Sequence, residues 1–508
     1  MLGTLPTAPA GLTHRVRRLG IDTGQEAVVY LRRDSAVVRS EGFDSQTRIE
    51  VRVGARSLRA TLGVITGPLL EEGEAGLSEA AWARLQPQEG ELVQFRHPRP
   101  LASLRHVRAK IHGQRLERSA LAEIVQDIAQ GEYSDIHIAA FLTACAGERL
   151  DRQETIDLTQ TMVDVGERLT WSRDLVLDKH SVGGLPGNRT TPIIVPIVAA
   201  AGLLMPKTSS RAITSPAGTA DTMETLAPVD LDAAAMRRVV AKEGACIVWG
   251  GAARLSPADD LLIRVERTLE LDATGQLVAS VLSKKAAAGV THVLVDVPVG
   301  PRAKIRGLEA ARRLELELRE VGVAAGLRVR PVLTDGTQPV GRGIGPALEA
   351  RDVLAVLQND PDAPQDLRAR ALLLAGQLLE LAAAAPAGSG EALARTILDD
   401  GRAWRKFMAI CEAQGGLRTP PTAAHTQPVT AQRQGRVTAI DNRRLARVAR
   451  LAGAPRDRAA GLMLHVRVGD MVPAGEPVFT IHAETAGELA YALAYAGSRP
   501  HIVNLEER

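Results

Sequence analysis

From about Leu19 to Phe95 the chain alternates apolar and polar residues in short runs, EAVVYLRR, TRIEVRVGARSLRATLGVI and ELVQF, separated by glycine turns. A period of two sends successive side chains to opposite faces of a strand, so this stretch predicts a small β-rich domain, residues 1–98. From Leu116 the period lengthens. LERSALAEIVQDIAQG, SDIHIAAFLTACAG and DRQETIDLTQTMVDVG place apolar residues at helical spacing, with Ser134 and Asp151 where N-caps belong and glycines near the ends. Three such segments predict an all-α lobe, residues 99–172, with a contribution from about 255–290.

Strands and helices then alternate. DLVLD, GLLMPK, ACIVWG, THVLVDVPVG and LRVRPVLTDG are short, apolar on both faces and separated by helical stretches. That pattern predicts a mostly parallel sheet covered by helices, an α/β lobe over residues 173–415. The longest apolar run, Pro192 to Pro206, carries an internal proline and falls short of the roughly 20 residues of a membrane span, so it reads as a buried helix running into a strand. LRTPPTAAHTQPVTAQ, rich in proline and threonine, contains a linker at 416–428, and residues 429–508 read as a compact α+β domain. The expected fold class is α/β: an all-α lobe and a large, mostly parallel α/β lobe, with an extra N-terminal β-rich domain and a C-terminal α+β domain.

Composition narrows the function classes. At 508 residues, 45% hydrophobic and 24% charged, the chain is neither a disulfide scaffold nor wholly disordered. The 62 basic and 59 acidic residues leave a formal charge of +3, so no basic surplus calls for nucleic acid or a membrane, and any anion site must be local. Lysine is scarce, and six of the eight lysines (Lys179, Lys207, Lys242, Lys284, Lys285, Lys304) fall in the central segment. Cys145, Cys246 and Cys411 are widely spaced in apolar contexts, which suits core thiols in a reducing cytoplasm and supports neither disulfides nor a zinc site. The start lacks the apolar run of a signal peptide, and a cytoplasmic protein is expected.

The densest chemistry is the run from Asp178 to Thr191, DKHSVGGLPGNRTT, between a strand and an apolar helix. In a parallel sheet this is a ligand-binding strand end, where glycines let backbone approach a ligand and Lys179, Ser181 and Thr190 add donors. A tight strand-to-helix connection would look similar. The second turn, Lys207 to Thr219, is rich in hydroxyls and cations and lacks a carboxylate; the simpler reading is a solvated, capping loop. If the third segment is helical from Asp272, then Asp272, Gln276, Ser280 and Lys284 follow one face, and Asp272 reads either as a helix cap or as part of a site. The segment from Asp296 to Lys304 ends another strand at the same sheet edge. Gly341, Gly343 and Gly345 read as structural glycines at a helix start before an anion loop.

The runs DKHSVGG, PKTSSRAITSPAGTADTMETLAPV, PADDLLIRVER, ASVLSKKAAAG, VDVPVG and DGTQPVGRGIGPALEARDVL, in this order over roughly residues 100–508, resemble the class II nucleoside phosphorylases. These include thymidine, pyrimidine-nucleoside and AMP phosphorylases, and the N-terminal β-domain and KTSSRAIT loop resemble AMP phosphorylase most. The resemblance implies phosphorolysis: phosphate attacks C1′ of a nucleoside 5′-monophosphate and the base leaves, giving ribose 1,5-bisphosphate. Activity on thymidine or pyrimidine nucleosides is the alternative, and a non-catalytic nucleotide-binding scaffold is a third reading.

By the same resemblance, Lys179, Ser181, Ser209 and Thr219 would hold phosphate. Gly184, the stretch Ser210, Arg211, Ala212, Ile213, Thr214 and Ser215, and also Thr219, Ser280, Lys284 and Lys304 would hold the nucleotide. Asp272 would donate a proton to the leaving base, which requires its pKa to rise by desolvation on closure. His180 would assist at the base or serve as an outer hydrogen-bonding residue. Arg264 and Arg267 lie out of register with an arginine of the thymidine enzymes. No cofactor or metal is implied beyond phosphate as co-substrate. The implied partners are a nucleoside monophosphate and phosphate, not nucleic acid or membrane, in a homodimer or larger homo-oligomer.

Overall fold

The computed structural model describes residues 13–212, 215–253, 255–269, 271, 273–499 and 501–506. The chain divides after Cys145 into two compact units. In the first, β1 (Thr13–Arg18), β2 (Val28–Arg32), β3 (Arg48–Val53), β4 (Arg56–Ile65), β5 (Glu74–Leu77) and β6 (Leu92–Arg96) close a barrel in the order β1-β5-β2-β4-β3-β6. Closure removes the free edges that alternating strands would otherwise present. The alternation holds along β3, where Ile49, Val51 and Val53 point into the barrel core with Val29, Leu31 and Leu62. Gly54, at φ +58°, makes the tight turn into β4. Helices α1 (Ala36–Glu41) and α2 (Glu79–Leu85) belong to the barrel, and α3 (Leu104–Ile111), α4 (Arg118–Ala129) and α5 (Asp135–Cys145) complete the unit.

The second unit opens with α6 (Arg152–Asp164), whose Asp151 and Glu154 form a reciprocal capping box. Its parallel strands are β7 (Leu177–Ser181), β8 (Met205–Ser209), β9 (Ala245–Trp249), β10 (His292–Val299) and β11 (Arg328–Asp335). β10 lies between β11 and β7, and β8 pairs with β9. A parallel bridge between Val176 and Leu204 joins the two sets. The layers around them are α7 (Thr191–Ala200), α8 (Thr219–Glu224), α9 (Ala233–Glu243), α10 (Pro257–Leu269), α11 (Thr274–Ala287) and α12 (Leu308–Ala324). After the short β12 (Gly343–Ile344) come α13 (Pro346–Leu357), α14 (Gln365–Leu381), α15 (Gly390–Asp399) and α16 (Arg402–Gln414). The apolar run after Thr190 is indeed a buried helix leading to β8. Gly275 lets α11 approach α6, since a Cβ there would lie 2.8 Å from Thr155 Oγ1.

The C-terminal region contains β13 (His425–Thr430), β14 (Gly435–Ile440), α17 (Asn442–Leu451), β15 (Gly461–Leu464), β16 (Met471–Val472), β17 (Pro477–Ala483), α18 (Ala486–Gly497) and β18 (Val503–Glu506). One sheet runs β12-β15-β17-β13 and the other β16-β14-β18. The expected α/β class with an N-terminal sheet domain and a C-terminal domain is therefore present. Two boundaries differ from the sequence reading. β13 starts inside the supposed linker, held by backbone pairing to β17 although most of its side chains are exposed. The helical segments expected as one lobe divide, α3 to α5 falling in the first unit and α6 in the second. Among the described residues no helix is long and apolar enough to cross a membrane.

Candidate active site

β7 extends through Ser181, so Lys179, His180 and Ser181 lie in the strand itself rather than in the turn after it. Strand alternation sends Asp178 and His180 to one face and Lys179 and Ser181 to the other. Lys179 is buried, and its Nζ donates to Thr190 Oγ1 at 2.8 Å and lies 3.8 Å from Asp296 Oδ2. Burial draws the ammonium down to about 8, against the pull of Asp296. Asp296 is itself fixed: Asn188 Nδ2 donates to one carboxylate oxygen at 2.9 Å and Thr334 Oγ1 to the other at 2.6 Å.

The turn after β7 needs its glycines. Gly184 has φ +82°, and a Cβ there would stand 2.9 Å from the backbone nitrogen of Lys304, so the DKHSVGG loop rests against the Lys304 segment. At the far end of the loop Arg189 donates to Glu349 Oε2 at 2.6 Å, Thr219 Oγ1 at 2.8 Å and the Ala217 carbonyl at 2.8 Å. Arg189 was not singled out by the sequence reading. The only available signal was a lone arginine within a donor-rich turn.

The second loop starts at Ser209, whose buried hydroxyl has no hydrogen-bond partner among the described residues. Ser210 is exposed. Arg211 is already engaged: it donates to Glu224 at 2.7 and 3.2 Å, lies 3.4 Å from both Asp221 and Asp230, and sits 5.0 Å over the Trp249 ring. These carboxylates, absent from the loop, come from α8 and beyond. Asp221 also accepts the backbone N–H groups of Ala212 and Gly218 at 2.6 and 2.8 Å, and Ser215 Oγ donates to the Ala217 carbonyl at 2.8 Å. Ile213 and Thr214 lie outside the described residues.

On α11, Lys284 Nζ donates to Ser280 Oγ at 3.1 Å and lies 2.6 Å from Asp259 of α10. Asp272 lies outside the described residues, and the cap position of α11 is Ala273. The adjacent Lys285 turns to the sheet, 2.7 Å from Asp178 Oδ2. His180 is held neutral, its pKa depressed well below 6.5 by burial and then by Lys285, Lys207, Lys284 and Lys179. Gly341 to Gly345 serve packing: Asp352 accepts the N–H groups of Arg342 and Gly343 at 2.6 and 2.7 Å, and a Cβ at Gly345 would meet the Ala460 carbonyl. The three cysteines are free and buried.

The strand ends thus gather a buried lysine, an unpartnered serine hydroxyl and a threonine beside an arginine, a donor set suited to an oxyanion, next to a neutral histidine. Three sequence models match this chain: the glycosyl transferase family a/b domain over residues 173–404, the glycosyl transferase family helical bundle domain over 105–166, and the pyrimidine nucleoside phosphorylase C-terminal domain over 436–499. The fold is shared with anthranilate phosphoribosyltransferase of Thermus thermophilus, at TM-score 0.50 and 20% identity over 61% of this chain and 98% of that one. A relative from Polaromonas sp. (strain JS666), named "Putative thymidine phosphorylase", is 63% identical over 99% of both chains. One from Legionella pneumophila (strain Paris), with the same name, is 57% identical over 97% of this chain and 95% of its own. The chain is a pentosyltransferase by class. It belongs to the thymidine and pyrimidine nucleoside phosphorylase family.

Proposed function

We propose that the protein cleaves pyrimidine nucleosides of the thymidine type with inorganic phosphate, yielding free base and a (deoxy)ribose 1-phosphate. The observation that carries this over the AMP reading is the extent of the likeness. The N-terminal β-domain and the KTSSRAIT loop pointed to AMP phosphorylase, yet the Polaromonas relative spans the whole chain, that domain included, and bears the thymidine name. The presence of that domain in a relative so named removes its weight in favour of the AMP reading.

In this reading phosphate sits among Lys179, Ser181, Ser209 and Thr219, and an oxygen of it attacks C1′ as the bond to the base nitrogen breaks. The electron pair of that bond passes to the base. Neutral His180 can donate one N–H to a base carbonyl as charge develops there, and Lys284 with Ser280 supplies a second donor group. Arg189 orients Thr219 without spending its own charge, because Glu349 neutralises it. No cofactor is needed for this displacement, and homo-oligomeric assembly is part of the proposal.

A second reading has one structural observation in its favour. Gly184 brings its loop onto Lys304, for which no carboxylate partner occurs among the described residues, while Arg211 is fully engaged. Lys304 is thus the cation available to a substrate 5′-phosphate. Comparing thymidine, uridine, thymidine 5′-monophosphate and AMP at equal concentration tests the choice. Preference for the unphosphorylated pyrimidines supports the main reading, and a preference for AMP by roughly tenfold or more, the value of a charge-assisted contact, replaces it.

A further inference from the structure

Beneath the candidate site lies a buried ionic cluster for which the displacement chemistry above has no direct use. Asp178 of β7, Lys207 of β8 and Lys285 of α11 are each at least 97% buried, with relative exposures of 0, 3 and 3%. Lys207 Nζ lies 3.0 Å and Lys285 Nζ 2.7 Å from the two Asp178 oxygens, and the N–H of Lys179 donates to Asp178 Oδ1 at 2.6 Å. Both ammonium groups also donate to one carbonyl, that of Thr208, at 2.8 and 3.4 Å. The next residue is Ser209, with its unpartnered hydroxyl.

We propose that Asp178, Lys207 and Lys285 form a positioning cluster for phosphorolysis, fixing the Lys179–Ser181 strand to the Thr208–Ser209 peptide and placing surplus positive charge under His180. The geometry makes this more than a core salt bridge. One carboxylate faces two ammonium groups, so the cluster is cationic when both are protonated, and a buried ion pair with this excess is weak as a stabilising device. Its members come from β7, β8 and α11, which also carry Lys179, His180 and Ser181, Ser209, and Ser280 and Lys284. Strand alternation puts Asp178 on the same face as His180.

Among the described residues the cations acting on His180 are Lys179 on its own strand, Lys207 on β8, and Lys284 and Lys285 on α11. Opposing them are Asp178, which the cluster saturates, Asp259 of α10, which pairs with Lys284, and Asp296 of β10, which faces Lys179. Burial and the neighbouring Lys207 ammonium pull Lys285 below the usual lysine range while Asp178 resists.

The inference rests on the phosphorolysis reading, but its test does not need substrate. In the full-length protein with 13C-labelled histidine, His180 is assigned by its absence from the His180→Gln spectrum and titrated between pH 5 and 8. Wild type should show no titration of His180 in this range. Lys285→Met removes charge at similar volume and should raise the His180 midpoint by about one pH unit or more. Lys285→Arg keeps the charge and should leave His180 neutral. In kinetics, Lys285→Met should raise the phosphate KM by roughly tenfold with kcat changed less, because Ser209 loses its fixed peptide. An unmoved His180 midpoint in Lys285→Met overturns the proposal. If that variant does not fold, Lys207→Met is read in the same way, and titration of His180 within the range in Lys285→Arg contradicts the proposal independently. Absence of any phosphorolysis, by contrast, removes the functional reading and leaves the histidine result standing.

Discussion

The guanidinium of Arg189 donates to Thr219 Oγ1 at 2.8 Å and so ties the turn after β7 to the first residue of α8. The same guanidinium faces Glu349, which is buried and whose carboxyl burial pushes above its usual range while Arg189 opposes the shift. Arg189→Ala should therefore destabilise the protein by on the order of 3–5 kcal/mol, as expected when one partner of a buried pair is removed. Arg189→Met with Glu349→Gln should recover a good part of the lost melting temperature without recovering phosphate affinity. Recovery of both would reduce Arg189 to a packing role.

Lys179 sets the expected pH dependence. Its pKa, drawn down to about 8 by burial, means that the ammonium is present below that pH and lost above it. Inorganic phosphate is already dianionic there, so a falling affinity reports the enzyme. The phosphate KM should rise above about pH 8, approaching about tenfold per pH unit, as expected where only the protonated form binds. In Lys179→Met the KM should be high at every pH and lack this limb. Persistence of the limb in that variant would assign it to another group.

Much of this arrangement was legible from local pattern, and what was not has a tertiary cause. The glycines of DKHSVGG read as room for a ligand, and at Gly184 the structure shows a different close neighbour, the backbone of Lys304. Alternation in TRIEVRV marked β3, while HTQPVT gave no apolar face because β13 is held mainly by backbone pairing to β17, with only Val429 packed against the core. The polar run Lys179-His180-Ser181 looked like a turn, yet it stays in the strand because pairing with β10 and the buried partners Thr190 and Asp296 satisfy it. Arg189 and Glu349 lie 160 residues apart, and Lys285 is 77 residues from the Thr208 carbonyl it reaches, so no spacing rule shows either link. The carboxylates that hold Arg211 were hidden for the same reason, since they lie outside its loop. Asp272 lies outside the described residues, and its role rests on the family resemblance alone.

Arg211 and Lys304 should behave in opposite ways. Arg211→Met breaks contacts to Glu224, Asp221 and Asp230 and should lower thermal stability, with a similar loss of kcat/KM for substrates with and without a 5′-phosphate. Lys304→Met should leave stability nearly unchanged and weaken only 5′-phosphorylated compounds, by roughly ten- to a hundredfold. Steady-state kinetics on thymidine and its 5′-monophosphate, with melting curves for both variants, separates the cases. A phosphate-selective loss in Arg211→Met would show that this side chain leaves its carboxylates for substrate.

Gly184→Ala tests the loop contact. The residue combines φ +82° with a Lys304 backbone nitrogen 2.9 Å from where a Cβ would stand, so alanine should cost about 1 kcal/mol or more and displace the DKHSVGG loop from Lys304. The expected signature is a lower melting temperature together with a raised KM. Unchanged values of both would mean that the loop relaxes freely and that the close approach is incidental.

The central claim is transfer of a pentosyl group to phosphate, and its most direct measurement is mass balance. Purified protein is incubated with thymidine or uridine and with or without inorganic phosphate, and free base and sugar phosphate are both quantified. The account predicts base release that requires phosphate and is matched mole for mole by a sugar 1-phosphate. Base released equally well without phosphate, or none released from any nucleoside or nucleoside monophosphate, would contradict it.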